Sequence, residues 1–238
     1  MIKKLLLSFV AFTLYIIAAN AQTPNASGVL FVNKNVVGGT QSGNSWTNAL
    51  PEAADAFKAA RLLNDATPGT VTQIWVAGGI YKPKFRADNL NSVNLSDRFN
   101  AFVMVPNVGV YGGFAGTETT LAARDLSITS NASVLSGDLN NNDGANFSNY
   151  GENAYFVVVA AGSIGQATLN GFTISGANKN GGNVSANGIS LAYGGGLAGA
   201  QTTLSINNCI FKSNAGNYGG GVGGYSSTFT ITNSSFEG

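Results

Sequence analysis

The chain contains no histidine and a single cysteine, Cys209, in 238 residues. Without histidine there is no imidazole general base, no His-containing zinc site and no Cys/His dyad. A lone cysteine closes no intrachain disulfide. With no imidazole to activate its thiol, Cys209 is expected to be a small packed side chain. Charge is scarce too: Lys, Arg, Asp and Glu make up 10% of the chain and the net charge is +1. Long helices and coiled coils carry far more. No basic patch recommends nucleic acid, and no polybasic run recommends anionic lipid. Beyond the N-terminal segment no apolar run is long enough to span a bilayer as a helix.

Glycine is abundant instead, at 32 residues, and hydrophobic residues form 44% of the chain. That apolar share excludes a disordered, low-hydrophobicity chain. Asn, Ser, Thr and Gly supply the polar surface that charge would otherwise provide.

Residues 1–21 read as a secretory signal peptide. Lys3 and Lys4 form the positive region, Leu5 to Ala18 the apolar region, and Ala19-Asn20-Ala21 the cleavage site. Loss of the two lysines takes the net charge from +1 to −1. The mature chain is expected to be secreted or held at the outer cell surface, with extracellular partners.

Residues 22–238 read as one domain, organised around a stretch that is written twice. Tyr193 to Phe211 aligns without gaps with Tyr218 to Phe236, 25 residues later. Identical pairs include Tyr193/Tyr218, Gly199/Gly224, Ile206/Ile231, Asn208/Asn233 and Phe211/Phe236, with a glycine triplet after each tyrosine. Such a period in a Gly-, Asn- and Thr-rich chain predicts a stacked solenoid. Alternation puts Leu204, Ile206, Phe229 and Ile231 inward and Thr203, Ser205, Thr228 and Thr230 outward. Asn208 is expected to form an amide ladder with Asn233, and Phe211 to stack on Phe236. Cys209 aligns with Ser234. The chain stops inside the second copy, so further coils beyond Gly238 are expected.

Upstream, Asn48 to Leu63 reads as the one convincing helix, with Pro51 in its first turn and Leu50, Ala54, Phe57 and Ala60 on one face. It is the natural cap for the open end of a solenoid. Short apolar runs follow: Gln73 to Tyr81, Phe102 to Val105, Val108 to Phe114, Val134 to Gly137, Ala154 to Val159 and Ala167 to Ile174. They are too short for helices and rich in β-branched and aromatic residues. Lys82 to Ala101 and Asn178 to Ser190 read as excursions.

The order Trp46 to Pro51, Ile74 to Tyr81, Tyr111-Gly112-Gly113-Phe114, Leu135 to Asn140, Leu169 to Ile174 and the glycine triplets resembles the right-handed parallel β-helix proteins of the pectin lyase-like superfamily. Within that group the chain is similar to secreted surface proteins of Gram-negative bacteria. Gly194-Gly195-Gly196-Leu197 and Phe211-Lys212-Ser213-Asn214 resemble the repeat motifs of polymorphic outer membrane proteins. The resemblance implies an all-β, right-handed parallel β-helix solenoid with an N-terminal capping α-helix.

Enzymes of that superfamily use clustered carboxylates, often with calcium and a Lys or Arg. From Ala154 to Gly238 there is no Asp; Glu237, Lys179 and Lys212 are the only charged residues. Catalytic residues are therefore not assigned. The densest set of oxygen ligands is Asp138, Asn140, Asn142 and Asp143, which starts like a calcium loop but lacks the glycine and glutamate that pattern requires. A turn bonded to its own backbone is the competing reading. Cofactors are thus none or calcium. Tyr193, Tyr218 and Tyr225 are candidate glycan-binding residues, since flat aromatic faces stack on sugar rings, although a cross-coil stack explains them equally. The neighbours Asp97/Arg98 and Arg124/Asp125 are expected to pair structurally. Together these features predict a protein serving adhesion, glycan binding or a structural role, with a polysaccharide or a cell-surface glycan or protein as partner. The alternative is a lyase or glycoside hydrolase acting on acidic polysaccharide.

Overall fold

A computed structural model describes residues 21–238. Apart from Ala21, the expected signal peptide lies outside them. The chain is strand-rich, with mostly parallel sheets and one α-helix. Among the described residues no helix is long and apolar enough to cross a membrane.

Three parallel sheets hold most of the strands. The six-stranded sheet runs Val29–Val32, Gln73–Ala77, Gly109–Phe114, Thr168–Asn170, Thr203–Asn207 and Thr228–Thr232. The five-stranded sheet contains Gly79–Tyr81, Ser133–Ser136, Phe172–Ser175, Ile210–Lys212 and Ser235–Glu237. The four-stranded sheet contains Phe102–Val103, Val158–Ala161, Leu197–Ala200 and Val222–Tyr225. From Phe102 onward the chain visits the four-, six- and five-stranded sheets in that order, then begins again.

In the duplicated stretch the pairing register offsets partners by 25 residues: Leu197 with Val222, Ile206 with Ile231, Phe211 with Phe236. The Phe211 and Phe236 rings stack at 5.1 Å between centroids and 9° between planes. Asn208 behaves differently from the expected ladder. It lies at φ +53, a left-handed position asparagine tolerates, and its amide donates back to Asn170 Oδ1 at 3.3 Å rather than forward to Asn233. The glycine triplets sit where backbones nearly touch. Gly194 adopts φ +88, and a Cβ on Gly195 would lie 2.6 Å from the Gly220 carbonyl oxygen.

Alternation divides the apolar residues of the six-stranded sheet between two cores. Leu30, Val32, Ile74, Val76 and Val110 face the main core with Phe102, Phe172, Ile206 and Phe211. Val29, Phe31, Trp75 and Phe114 face the other way and cluster with Trp46. Trp75 and Phe114 stack at 4.8 Å, and the Trp46 indole N–H donates to the Glu118 carbonyl at 2.8 Å. Both tryptophans therefore pack rather than stand free.

The α-helix spans Ala53–Ala66, later than the sequence suggested. Glu52 is extended, so Pro51 stays outside, and the far end gains a turn through the Arg61–Asp65 pair at 2.8 Å. Its buried face, including Ala53, Ala56, Phe57 and Ala60, packs on Val29–Val32, Gln73–Ala77 and Phe102–Val103.

Both excursions fold into antiparallel pairs: Phe85–Arg86 with Asn89–Val93, and Val184–Ala186 with Ile189–Leu191. The expected neighbour pairs do not form. Arg86 takes Asp97, at 3.0 Å, together with Asp88. Arg98 turns to the carbonyls of Asn153 and Asn178, at 2.6 and 2.8 Å. Arg124 donates to the Gly112 carbonyl, while Asp125 accepts from Ser127. Adjacent residues on an extended chain point to opposite sides, so sequence neighbours are poor partners.

Candidate functional site

The expected calcium ligands lie on the segment that follows Ser133–Ser136. Asp138 folds this segment onto itself: its carboxylate accepts the backbone N–H of Asn142 at 3.2 Å and of Asp143 at 3.3 Å. Asn140 and Asn142 are exposed. The Asn142 carbonyl accepts the Asn149 side-chain amide at 2.8 Å. Asn149 itself is left-handed, at φ 62, and a single 3-10 turn, Tyr150–Glu152, follows it. That reversal brings Glu152 back to the start of the loop. Carboxylate oxygens of Asp138, Asp143 and Glu152 all lie within 4.8 Å of one another. The structure thus joins Asp138 and Asp143 with a residue the sequence pattern had not singled out. The one sequence signal for Glu152 was its place just ahead of the apolar run from Ala154.

Asn153 closes the inner side of the cluster. It is fully buried, and its amide donates to Asp143 Oδ2 at 2.9 Å and to the Gly176 carbonyl at 2.8 Å. Its own Oδ1 has no hydrogen-bond partner among the described residues, and neither do Asp143 Oδ1 and Glu152 Oε1. The Tyr150 hydroxyl beside them donates to the Ser213 carbonyl at 3.0 Å. Burial pushes the Asp143 pKa up to about 6, against the hydrogen bond from Asn153, and the neighbouring Asp138 and Glu152 push the same way. Lys82 is the nearby cation. It donates to the Leu139 carbonyl at 2.9 Å, and burial lowers its pKa against the pull of Asp138, Asp143 and Glu152.

The three candidate tyrosines also come together. The Tyr193 ring lies 5.4 Å from Tyr218 and 6.5 Å from Tyr225, stacked on the latter at 16°. Tyr193 is 37% exposed, Tyr218 68% and Tyr225 56%, so the outer two present most of their surface to solvent. The glycine triplets and the Leu197–Ala200 pairing with Val222–Tyr225 bring these rings side by side.

Other polar candidates serve the fold. Cys209 is buried and donates toward the Asn207 carbonyl, and burial raises its thiol to about 11, which removes it as a nucleophile. The Glu118 carboxylate accepts the N–H groups of Ala115, Gly116 and Thr117. Burial works against its ionisation, yet these amides outweigh it and hold the carboxyl below its ordinary value. A pocket of about 300 Å³ between the α-helix and the two antiparallel excursions, floored by Phe57, Phe85 and Phe102, was not foreseen from sequence. Comparison with family models, curated proteins and solved structures returned no match.

Proposed function

We propose that the chain is an exported surface protein built as a right-handed parallel β-helix, and that the tyrosine face of its coils binds glycan. Two facts support the architecture. The chain visits its three sheets in a constant order, and each strand pairs in parallel with its counterpart one pass later. Parallel crossovers of this kind are right-handed almost without exception. The helix over Val29–Val32 and Gln73–Ala77 then acts as the cap that an open coil end needs. Export rests on the signal-like leader, and the likeness to pectin lyase-like surface proteins rests on the motifs quoted above.

The observation that carries the functional half is the exposed array of Tyr193, Tyr218 and Tyr225. It stands on a stretch with Lys179, Lys212 and Glu237 as its only charges. Aromatic faces on a neutral, rigid surface suit stacking against sugar rings. The test is binding of the mature chain to a panel of immobilised neutral and acidic polysaccharides. We expect retention on at least one, lost in a Tyr218→Ala/Tyr225→Ala double variant whose melting temperature is unchanged. Wild-type retention by that variant, or no retention on any member, overturns the reading.

A second reading, a lyase or hydrolase of acidic polysaccharide, is favoured by one observation: three carboxylates gather beside Lys82. Unsaturated or reducing ends released from an acidic polysaccharide would replace binding with catalysis.

A further inference from the structure

We propose that Asp138, Asp143, Glu152 and the side-chain oxygen of Asn153 form a calcium site that clamps the two ends of the 138–153 excursion together. The proposal is independent of the glycan reading.

Three carboxylate oxygens within 4.8 Å of one another can share one ion, because oxygens on opposite sides of Ca²⁺ at about 2.4 Å stand about 4.8 Å apart. An acidic cluster alone would not suffice as an argument, since exposed carboxylates gather on many surfaces. The independent observation is Asn153. Its side chain is fully buried beside Asp143, to which its amide N–H donates, yet its carbonyl oxygen has no partner. A buried amide oxygen left unpaired forfeits its hydration with nothing in return. Asp143 Oδ1 and Glu152 Oε1 are buried and unpaired in the same way. Orphaned oxygens on Asp143, Glu152 and Asn153, next to the Asp138 carboxylate, are the donors a hard cation coordinates.

The donor set selects among metals. Carboxylates and an amide carbonyl, with no nitrogen or sulfur ligand, exclude the soft sites of zinc and copper. Magnesium prefers a near-ideal octahedron and keeps several waters, whereas calcium accepts irregular, oxygen-rich cages and bidentate carboxylates. Three carboxylates also outweigh the single charge of Lys82, whose ammonium is already committed to the Leu139 carbonyl.

The expected consequence is mechanical. Asp138 follows the strand Ser133–Ser136, and Glu152 and Asn153 precede the strand Val158–Ala161. An ion held between them closes the loop at its neck and fixes the passage from one sheet to another.

The test uses the mature chain stripped with chelator, then titrated with CaCl₂ and followed by thermal melting and calorimetry. At a hundredfold excess over Kd the Tm should rise by about 5–10 °C. Tb³⁺ should bind with sensitised emission from the adjacent Tyr150 and be displaced by Ca²⁺. Glu152→Gln and Asp143→Asn should each weaken Ca²⁺ binding about tenfold or more. Asn140→Ala and Asn142→Ala should leave it unchanged. The proposal is overturned by wild-type chain showing neither heat nor a Tm shift in millimolar Ca²⁺. Undiminished affinity in Glu152→Gln overturns it equally, as does an equal response to Mg²⁺. If a variant fails to fold, Tb³⁺ binding and its displacement from the wild-type chain still decide the question.

Discussion

Between Lys34 and Asp97 the segments outside the sheets are tied down by charge: Lys34 to Glu52, Lys84 to Asp55, and Arg86 to both Asp88 and Asp97. Between Ala154 and Gly238 no ion pair is found among the described residues, and the holding is done by stacked rings, amide-to-carbonyl bonds and close backbone approach. Asn214 donates to the Ile174 carbonyl at 2.8 Å, Asn178 to that of Tyr150 at 2.6 Å, and Phe211 lies on Phe236. The first region accommodates irregular excursions, which need long side chains reaching sideways. In the second, apart from the antiparallel pair Val184–Ala186 and Ile189–Leu191, the strands have counterparts one pass away, so short side chains and identical shapes suffice. Arg98, just past the first region, joins it to the second, as does the Arg61 bond to Asn187 at 2.8 Å. Arg98 reaches the Asn153 and Asn178 carbonyls and the Asn180 side chain, with its guanidinium 4.2 Å from the Tyr155 ring.

The strongest way to break the contrast is Phe211→Ala. Its ring is 1% exposed and stacked, so the truncation should cost about 3–5 kcal/mol, read as a fall in the urea midpoint with an unchanged m-value. A cost near that of an exposed aromatic would mean that stacking does not hold the second region. Arg98→Ala comes next, at about 2–3 kcal/mol, because three acceptors and an aromatic face lose one cation. Arg98→Lys should recover less than half, since an ammonium cannot span the same fork of acceptors. Full recovery would reduce the junction to simple charge.

The smallest effect concerns pH. The Asp143 pKa is raised to about 6 in the folded chain, above its unfolded value of about 3.9. A raised carboxyl contributes stability that is present at low pH and lost as pH climbs through the folded pKa. In chelator, stability from this group should therefore fall between about pH 4 and 6, by under about 1 kcal/mol once solvent screening is counted. Asp143→Asn should flatten that slope in melts recorded across the range. A slope of opposite sign would mean that the acidic cluster is not strained.

How much of this could be read beforehand differs by region for the same reason. The pairing of Ile206 with Ile231 and Phe211 with Phe236 was legible, because a period in the chain is also a register in space. Burial of Cys209 followed from its place opposite Ser234, whose hydroxyl accepts the Cys209 N–H at 3.1 Å. The acidic site was legible only by half. Asp138 and Asp143 stood together in the sequence, but Glu152 and Asn153 arrive through a left-handed Asn149 and a single 3-10 turn, which leave no periodic trace. Arg98 escaped because its acceptors lie 55 to 82 residues away. The polarity of Lys82 to Ala101 marked an excursion without showing that Phe85–Arg86 and Asn89–Val93 would pair within it.

The glycine triplets carry one more consequence, for how such a chain can change. A Cβ at Gly195 would collide with the Gly220 carbonyl, one at Gly220 with the Asn214 carbonyl, and one at Gly223 with the Gly194 backbone. Gly195 and Gly223 are constrained by main-chain atoms one pass away and Gly220 by a carbonyl six residues before it, which no choice of side chain there can relieve. A substitution in one triplet cannot be rescued by a compensating substitution in the other. Copying a whole unit keeps both members of each close approach, whereas changing one of them alone meets main chain.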